Sequence, residues 1–179
     1  MREYTSEVIE KAKNIKTLIF DVDGVLTDGK IVYDNNGIET KAFNVKDGQI
    51  IKHVKEAGIV VGAITGRSSD IVKKRCEELK LDFYYQGVHD KPEIFDQVCE
   101  KYGLQKNEVA YIGDDIIDLG ILSQCGLAVA PNDGMSYVKE HVDMISEKNG
   151  GEGVVREVGD LILHSKGLLD GIVRSYLKA

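Results

Sequence analysis

The sequence predicts an α/β fold: a parallel sheet in three layers, helices on both faces, with a small β-hairpin insertion. Two observations lead to it. Short unbroken apolar runs, such as Thr17–Phe20, Ile59–Ile64 and Val109–Ile112, read as strands buried on both sides. Segments of helical periodicity alternate with them, with glycine or proline at several junctions. Strand–helix–strand units of this kind cross over right-handed and so cover both sheet faces.

Each element follows in order. Ser6–Ile15 has the spacing of a short amphipathic helix, and Thr17–Phe20 is the first buried strand. Two β-prone segments, Ile31–Tyr33 and Thr40–Phe43, flank Asp34-Asn35-Asn36-Gly37, a turn signal, which predicts a hairpin flap over residues 30–43. Ile50, Ile51, Val54 and Ala57 then recur at helical spacing until Gly58 ends the helix. Strands over Ile59–Ile64, Asp82–Tyr85, Val109–Ile112, Leu127–Val129 and Met144–Ile145 alternate with helices over Ser69–Leu79, Pro92–Tyr102, Ile116–Ser123 and Met135–His141. Pro92 suits the first turn of its helix. Gly150-Gly151-Glu152-Gly153 reads as a flexible connection. Residues 154–179 read as a helix broken near Gly167 with a loose end. No linker divides the chain, so residues 1–179 are expected to form a single domain.

Composition narrows the function. The chain of 179 residues carries a net charge of −7, which leaves no overall basic footprint for nucleic acid. No apolar stretch approaches the about 18 residues of a membrane span, and the first residues, MREYTSEVIEKAKNIK, carry acids in place of the apolar core of a signal peptide. Cys76, Cys99 and Cys125 form no CxxC pair and read as reduced thiols of a cytoplasmic protein.

Chemistry concentrates where strands end. In an open parallel sheet, ligands bind outside the carboxyl ends of the strands. Asp21-Val22-Asp23 follows the first strand and Thr65-Gly66-Arg67 the second. Lys91 follows the third after a short loop, and Gly113-Asp114-Asp115 the fourth, with Asp118 one turn on. So many acids on one edge repel unless a cation joins them. All-oxygen donors in small number favour Mg²⁺. A calcium loop fails because Gly24 falls one place early and no glutamate stands at its twelfth position. A metal, a hydroxyl, a lysine and a nucleophilic carboxylate suit phosphoryl transfer.

These residues resemble the haloacid dehalogenase superfamily of phosphatases. Its four motifs occur in order: Asp21-Val22-Asp23-Gly24-Val25, Thr65, Lys91, and Gly113-Asp114-Asp115-Ile116-Ile117-Asp118. The resemblance implies a Rossmann-like sheet, Asp21 as nucleophile through an aspartyl-phosphate, and Asp23 as general acid and base. It implies Mg²⁺ held by Asp21, Asp114 and the main-chain carbonyl of Asp23, with Asp115 and Asp118 in support. Thr65, Lys91 and the main-chain amides near Gly24 would bind the phosphoryl group.

With no large cap domain, and with TDG at Thr27–Gly29, FNxxDG at Phe43–Gly48, TGR at Thr65–Arg67, QGxxDK at Gln86–Lys91 and GGxGxxRE at Gly150–Glu157, the chain is similar to the capless branch. That branch contains the 3-deoxy-D-manno-octulosonate 8-phosphate (KDO 8-phosphate) phosphatases of lipopolysaccharide precursor synthesis. Val155 departs mildly from the branch pattern. The resemblance further implies a homotetramer in which neighbouring hairpins and C-terminal segments close each site. It makes Arg67, Arg75 and Arg156 candidates for the sugar acid, in the same or a neighbouring subunit.

Arg67 favours this reading over a sialic-acid-type 9-phosphate phosphatase or a broad sugar phosphatase. A non-catalytic regulatory protein binding Mg²⁺ and phosphate fits less well, because the Asp21–Asp23 pair is intact. A phosphomutase needs a cap. Asp28 and Asp34 read as turn formers, and His53, His89, His141 and His164 as ordinary scattered histidines.

Overall fold

The structure is a computed structural model that describes residues 2–177. In chain order the elements are helix α1 (Ser6–Asn14), strand β1 (Thr17–Phe20), β2 (Val32–Tyr33), β3 (Glu39–Thr40), α2 (Val45–Glu56), β4 (Val60–Ile64), α3 (Asp70–Glu78) and β5 (Phe83–Tyr85). There follow α4 (Lys91–Tyr102), β6 (Val109–Ile112), α5 (Leu119–Leu122), β7 (Leu127–Ala130), α6 (Ser136–Lys139), β8 (Met144–Ile145), α7 (Val154–Ser165) and α8 (Leu169–Leu177).

Six strands make one sheet in the order β5-β4-β1-β6-β7-β8, every pairing parallel. β1 is central because it is apolar on both faces. Leu18 and Phe20 join the layer under α1, α2, α3 and α7, while Ile19 joins the layer under α4, α5 and α6. Fully burying each such side chain contributes about 1.5–3 kcal/mol. The register aligns Phe20 with Ala63 of β4 and Ile112 of β6. The carboxyl ends of β4, β1 and β6 are therefore level, and the residues after them emerge along one edge.

The hairpin is shorter than its β-propensity suggests, with Val32 opposite Thr40 and Tyr33 opposite Glu39. Asp34 shapes its turn by accepting the N–H groups of Asn36 and Ile38, each at 2.8 Å. Phe43 leaves the strand to pack on the core, with the Arg75 guanidinium 5.5 Å above its ring. Ile116–Asp118 is a 3₁₀ turn before the short α5, not one longer helix. The C-terminal helix breaks at Gly167, at φ +71°, as expected, and α8 continues to Leu177; residues 178–179 of the end expected to be loose lie outside the described residues. Among the described residues no helix is long and apolar enough to cross a membrane.

The glycines of the 150–153 segment allow close approach. A Cβ on Gly150 would lie 2.1 Å from the carbonyl oxygen of Gly24, and Gly151 donates its N–H to Val25 at 3.0 Å. A segment that reads as a flexible joint is instead laid against the loop after β1.

Candidate active site

The level strand ends bring four stretches of chain together. Asp21 leaves β1 with its N–H bonded to Ile112 at 3.0 Å, and its own Oδ1 accepts the Val22 N–H at 2.6 Å. The other oxygen, Oδ2, lies 2.7 Å from Lys91 Nζ. Lys91 occupies the first turn of α4 beside the N-cap Asp90, where its charge opposes the helix dipole. Its side chain, 1% exposed, turns away from solvent to bridge Asp21 and Asp118, the latter also at 2.7 Å.

Asp118 holds the fourth stretch in shape. Its Oδ1 accepts the Tyr111 hydroxyl at 2.6 Å, and its Oδ2 accepts the N–H groups of Asp114 and Asp115 at 3.1 and 3.2 Å. Asp115 points outward, capping the 3₁₀ turn through Ile116 and accepting the Tyr137 hydroxyl, both at 2.7 Å.

Asp114 faces the first motif. Gly24 has φ +86°, and a Cβ built there would lie 2.1 Å from Asp114 Oδ2, so only glycine lets this loop pass the carboxylate. Asp114 Oδ1 is buried and has no hydrogen-bond partner among the described residues. Carboxylate oxygens of Asp21, Asp114 and Asp118 all lie within 4.8 Å of one another. Burial, reinforced by the negative Asp21 and Asp118, pushes the Asp114 carboxyl up to about 8. Burial also raises Asp21 to about 6, with Lys91 opposing. An orphaned buried oxygen among clustered carboxylates is what a hard divalent cation satisfies, and the all-oxygen set fits Mg²⁺. Asp118 is already engaged by four donors, whereas Asp21 meets two and Asp114 Oδ1 none among the described residues, so Asp21 and Asp114 are the side chains that could hold it.

The cleft above these groups, about 220 Å³, is lined by Asp21, Asp23, Thr65, Gly66, Arg67 and Asp114, among others. It contains most of the residues marked in the sequence. Two arginines lie elsewhere. Arg75, in the last turn of α3, lines a separate cavity of about 570 Å³ against α2, packs over Phe43 and sits 3.5 Å from Glu78. Arg156 lies where α7 meets α2: its N–H binds Asp47 and its guanidinium binds Asp160, both at 2.7 Å. Neither lines the cleft of its own chain: Arg75 is in the last turn of α3, and Arg156 is turned to Asp160.

The sequence reading missed Lys41, Glu39 and Tyr111. Lys41 Nζ is 2.5 Å from Asp23 Oδ1, and Glu39 Oε1 is 3.0 Å from Arg67 Nη2. A signal existed, since residues two apart in a strand share a face, and Glu39 and Lys41 are opposite charges at that spacing. Tyr111 reads as core, and only the tertiary structure sets its hydroxyl on Asp118.

A sequence model of haloacid dehalogenase-like hydrolases matches residues 38–126. The chain is 44% identical over 166 residues to the 3-deoxy-D-manno-octulosonate 8-phosphate phosphatase KdsC of Escherichia coli K12, covering 93% of this chain and 88% of that protein. The chain belongs to the haloacid dehalogenase-like hydrolases.

Among hydrolases of known structure, the 3-deoxy-D-manno-octulosonate 8-phosphate phosphatase of Moraxella catarrhalis superposes with a TM-score of 0.94 at 39% identity, over 97% of this chain and 99% of that one. That crystal holds magnesium, phosphate and a KDO molecule. The cobalt-bound Haemophilus influenzae phosphatase superposes at 0.88 with 38% identity, over 93% of this chain and 99% of that one. The six-stranded parallel sheet and small hairpin are thus those of a haloacid dehalogenase-like hydrolase.

Proposed function

We propose that this chain is a Mg²⁺-dependent phosphomonoesterase that converts KDO 8-phosphate to KDO and phosphate. The observation that carries the chemistry is the Asp21 carboxylate, with one oxygen 2.7 Å from Lys91, beside the unpartnered buried oxygen of Asp114. The substrate reading is supported by 44% identity to a KDO 8-phosphate phosphatase over most of both chains.

An Asp21 oxygen attacks phosphorus, and the ester P–O bond breaks. Asp23 delivers a proton to the departing sugar oxygen, which leaves an aspartyl-phosphate on Asp21. Water then attacks that phosphorus, giving its proton to Asp23, and the acyl-phosphate bond breaks to regenerate Asp21. Thr65, Lys91 and the main-chain amides around Gly24 hold the three non-reacting oxygens. Held by Asp21, Asp114 and the Asp23 carbonyl, Mg²⁺ supplies positive charge against the phosphoryl oxygens. Asp118 holds Lys91 and the Asp114 loop, and Arg67 lies on the rim of the cleft, where it can bind the sugar carboxylate.

The reading extends to a cytoplasmic homotetramer. Ile31, Val32, Tyr33 and Ile38 expose apolar surface together on the hairpin, which supports burial against copies of the chain. Three free thiols support a reducing compartment. The single-domain reading rests on both core layers packing against one sheet.

The deciding experiment compares kcat/KM for KDO 8-phosphate with a panel of sugar phosphates that includes a sialic-acid-type 9-phosphate. Mg²⁺ is supplied and then chelated. Preference for KDO 8-phosphate that vanishes on chelation is the expected result, and equal turnover across the panel refutes the substrate assignment.

A further inference from the structure

The superfamily motifs account for Lys91 but not for a second buried lysine. The Lys41 side chain is 1% exposed, although it comes from a hairpin whose β2 residues are exposed. Its Nζ lies 2.5 Å from Asp23 Oδ1 and 3.5 Å from Glu39 Oε1. Glu39 in turn meets Arg67 Nη2 at 3.0 Å and accepts the Ser69 hydroxyl at 2.7 Å. Arg67 Nη1 lies 3.9 Å from Asp23 Oδ2, which completes a ring of four alternating charges. The Ser69 hydroxyl, with Lys41 and Arg67, holds Glu39 below the usual carboxylate range.

Asp23 has few other restraints. Beyond the ring, its side chain accepts only the Thr27 hydroxyl, at 3.3 Å, among the described residues. A carboxyl that must face a leaving oxygen and then a water needs a fixed direction, and a misplacement of 1 Å can cost about 100-fold in rate.

We propose that Lys41 is the positioning residue of Asp23, carried into place by β3, so that the hairpin completes the catalytic pair within its own chain. Glu39 fixes Lys41 from the opposite side. Lys41 keeps its protons throughout: the proton that reaches the leaving oxygen comes from Asp23 and is replaced from the attacking water. The proposal rests on the acid/base reading of Asp23 given above, and the test separates the two.

The test compares kcat/KM on KDO 8-phosphate, whose alkoxide must be protonated to leave, with that on p-nitrophenyl phosphate, whose phenolate leaves unaided. Because kcat/KM stops at the first irreversible step, it isolates leaving-group departure. Asp23→Asn is expected to lose about 10²–10⁴-fold on the sugar phosphate and far less on the aryl phosphate. Lys41→Met is expected to lose about tenfold on the sugar phosphate and under about threefold on the aryl phosphate, and Lys41→Arg to recover most of that loss. If Lys41→Met is too unstable because Asp23 and Glu39 are left facing each other, Lys41→Met/Glu39→Gln restores the charge balance and carries the same comparison. Equal losses on both substrates, or none on either, overturn the positioning role. If Asp23→Asn is itself unselective, the acid/base reading falls and the proposal with it. A selective Asp23→Asn beside an unselective Lys41→Met sinks the proposal alone.

Discussion

Replacing Lys91 by methionine keeps most of the side chain's volume and removes its charge. The structure sets the size of the effect. Lys91 Nζ lies 2.7 Å from both Asp21 and Asp118, and all three side chains are at most 5% exposed. Losing the shared cation leaves two buried carboxylates facing each other without compensation. Breaking a buried ion pair in this way costs about 3–5 kcal/mol. At about 2–4 °C per kcal/mol for a chain of this size, the melting temperature should fall by roughly 6–20 °C. The assay is urea unfolding followed by circular dichroism at pH 7 with a chelator present, so that no metal replaces the lost charge. Adding Mg²⁺ should return part of the loss. Lowering the pH toward 4 should shrink it, because carboxylates that lack a counter-charge in the interior take up protons. A loss below about 1 kcal/mol at pH 7, the scale of an exposed pair, would refute the picture of Lys91 as the clamp between two buried acids.

Asp21→Asn should fold normally and release no phosphate from the sugar substrate; turnover by that variant in a phosphate-release assay would reject the covalent route. Arg67→Ala should raise KM for KDO 8-phosphate far more than for p-nitrophenyl phosphate, and equal loss on both would move Arg67 from sugar recognition to phosphate binding. Asp47 gives a pH prediction. Burial raises its carboxyl from 3.8 to about 6, against the Arg156 N–H bond, so the folded state binds its proton more tightly than the unfolded chain does. Its contribution to stability is therefore fullest below pH 4 and falls as pH rises through about 6, by about 3 kcal/mol in all. Asp47→Asn should lack that slope, so the stability difference between the two proteins should change from pH 4 to 7, and parallel curves over that range would count against it. Ile31→Glu combined with Ile38→Lys should shift the protein to a smaller species in sedimentation velocity, whereas an unchanged oligomer would show that the hairpin is not the interface.

The site residues fall into those visible along the chain and those that are not. Asp21, Thr65 and Asp114 were readable because each stands at the end of an apolar run, and Lys91 a short loop beyond one, where polar groups are out of place unless strand ends form a site. Lys91 also opposes the dipole of its own helix. Arg75 and Arg156 could be picked out by resemblance, yet neither lines the cleft of its own chain. Lys41 and Glu39 gave only a weak sign, opposite charges two apart, because a short exposed hairpin is full of charge and that spacing does not say which charge folds inward.

The amino-acid sequence alone determined the alternation of strands and helices, the parallel sheet and the edge on which the acids gather. Those follow from local periodicity and from where hydrophobic runs stop. Only the tertiary structure decided which oxygen is left without a partner, which lysine faces which acid, and that the 150–153 glycines press against the first loop. Such facts depend on distances between segments far apart in the chain, and those distances are set by packing and strand register.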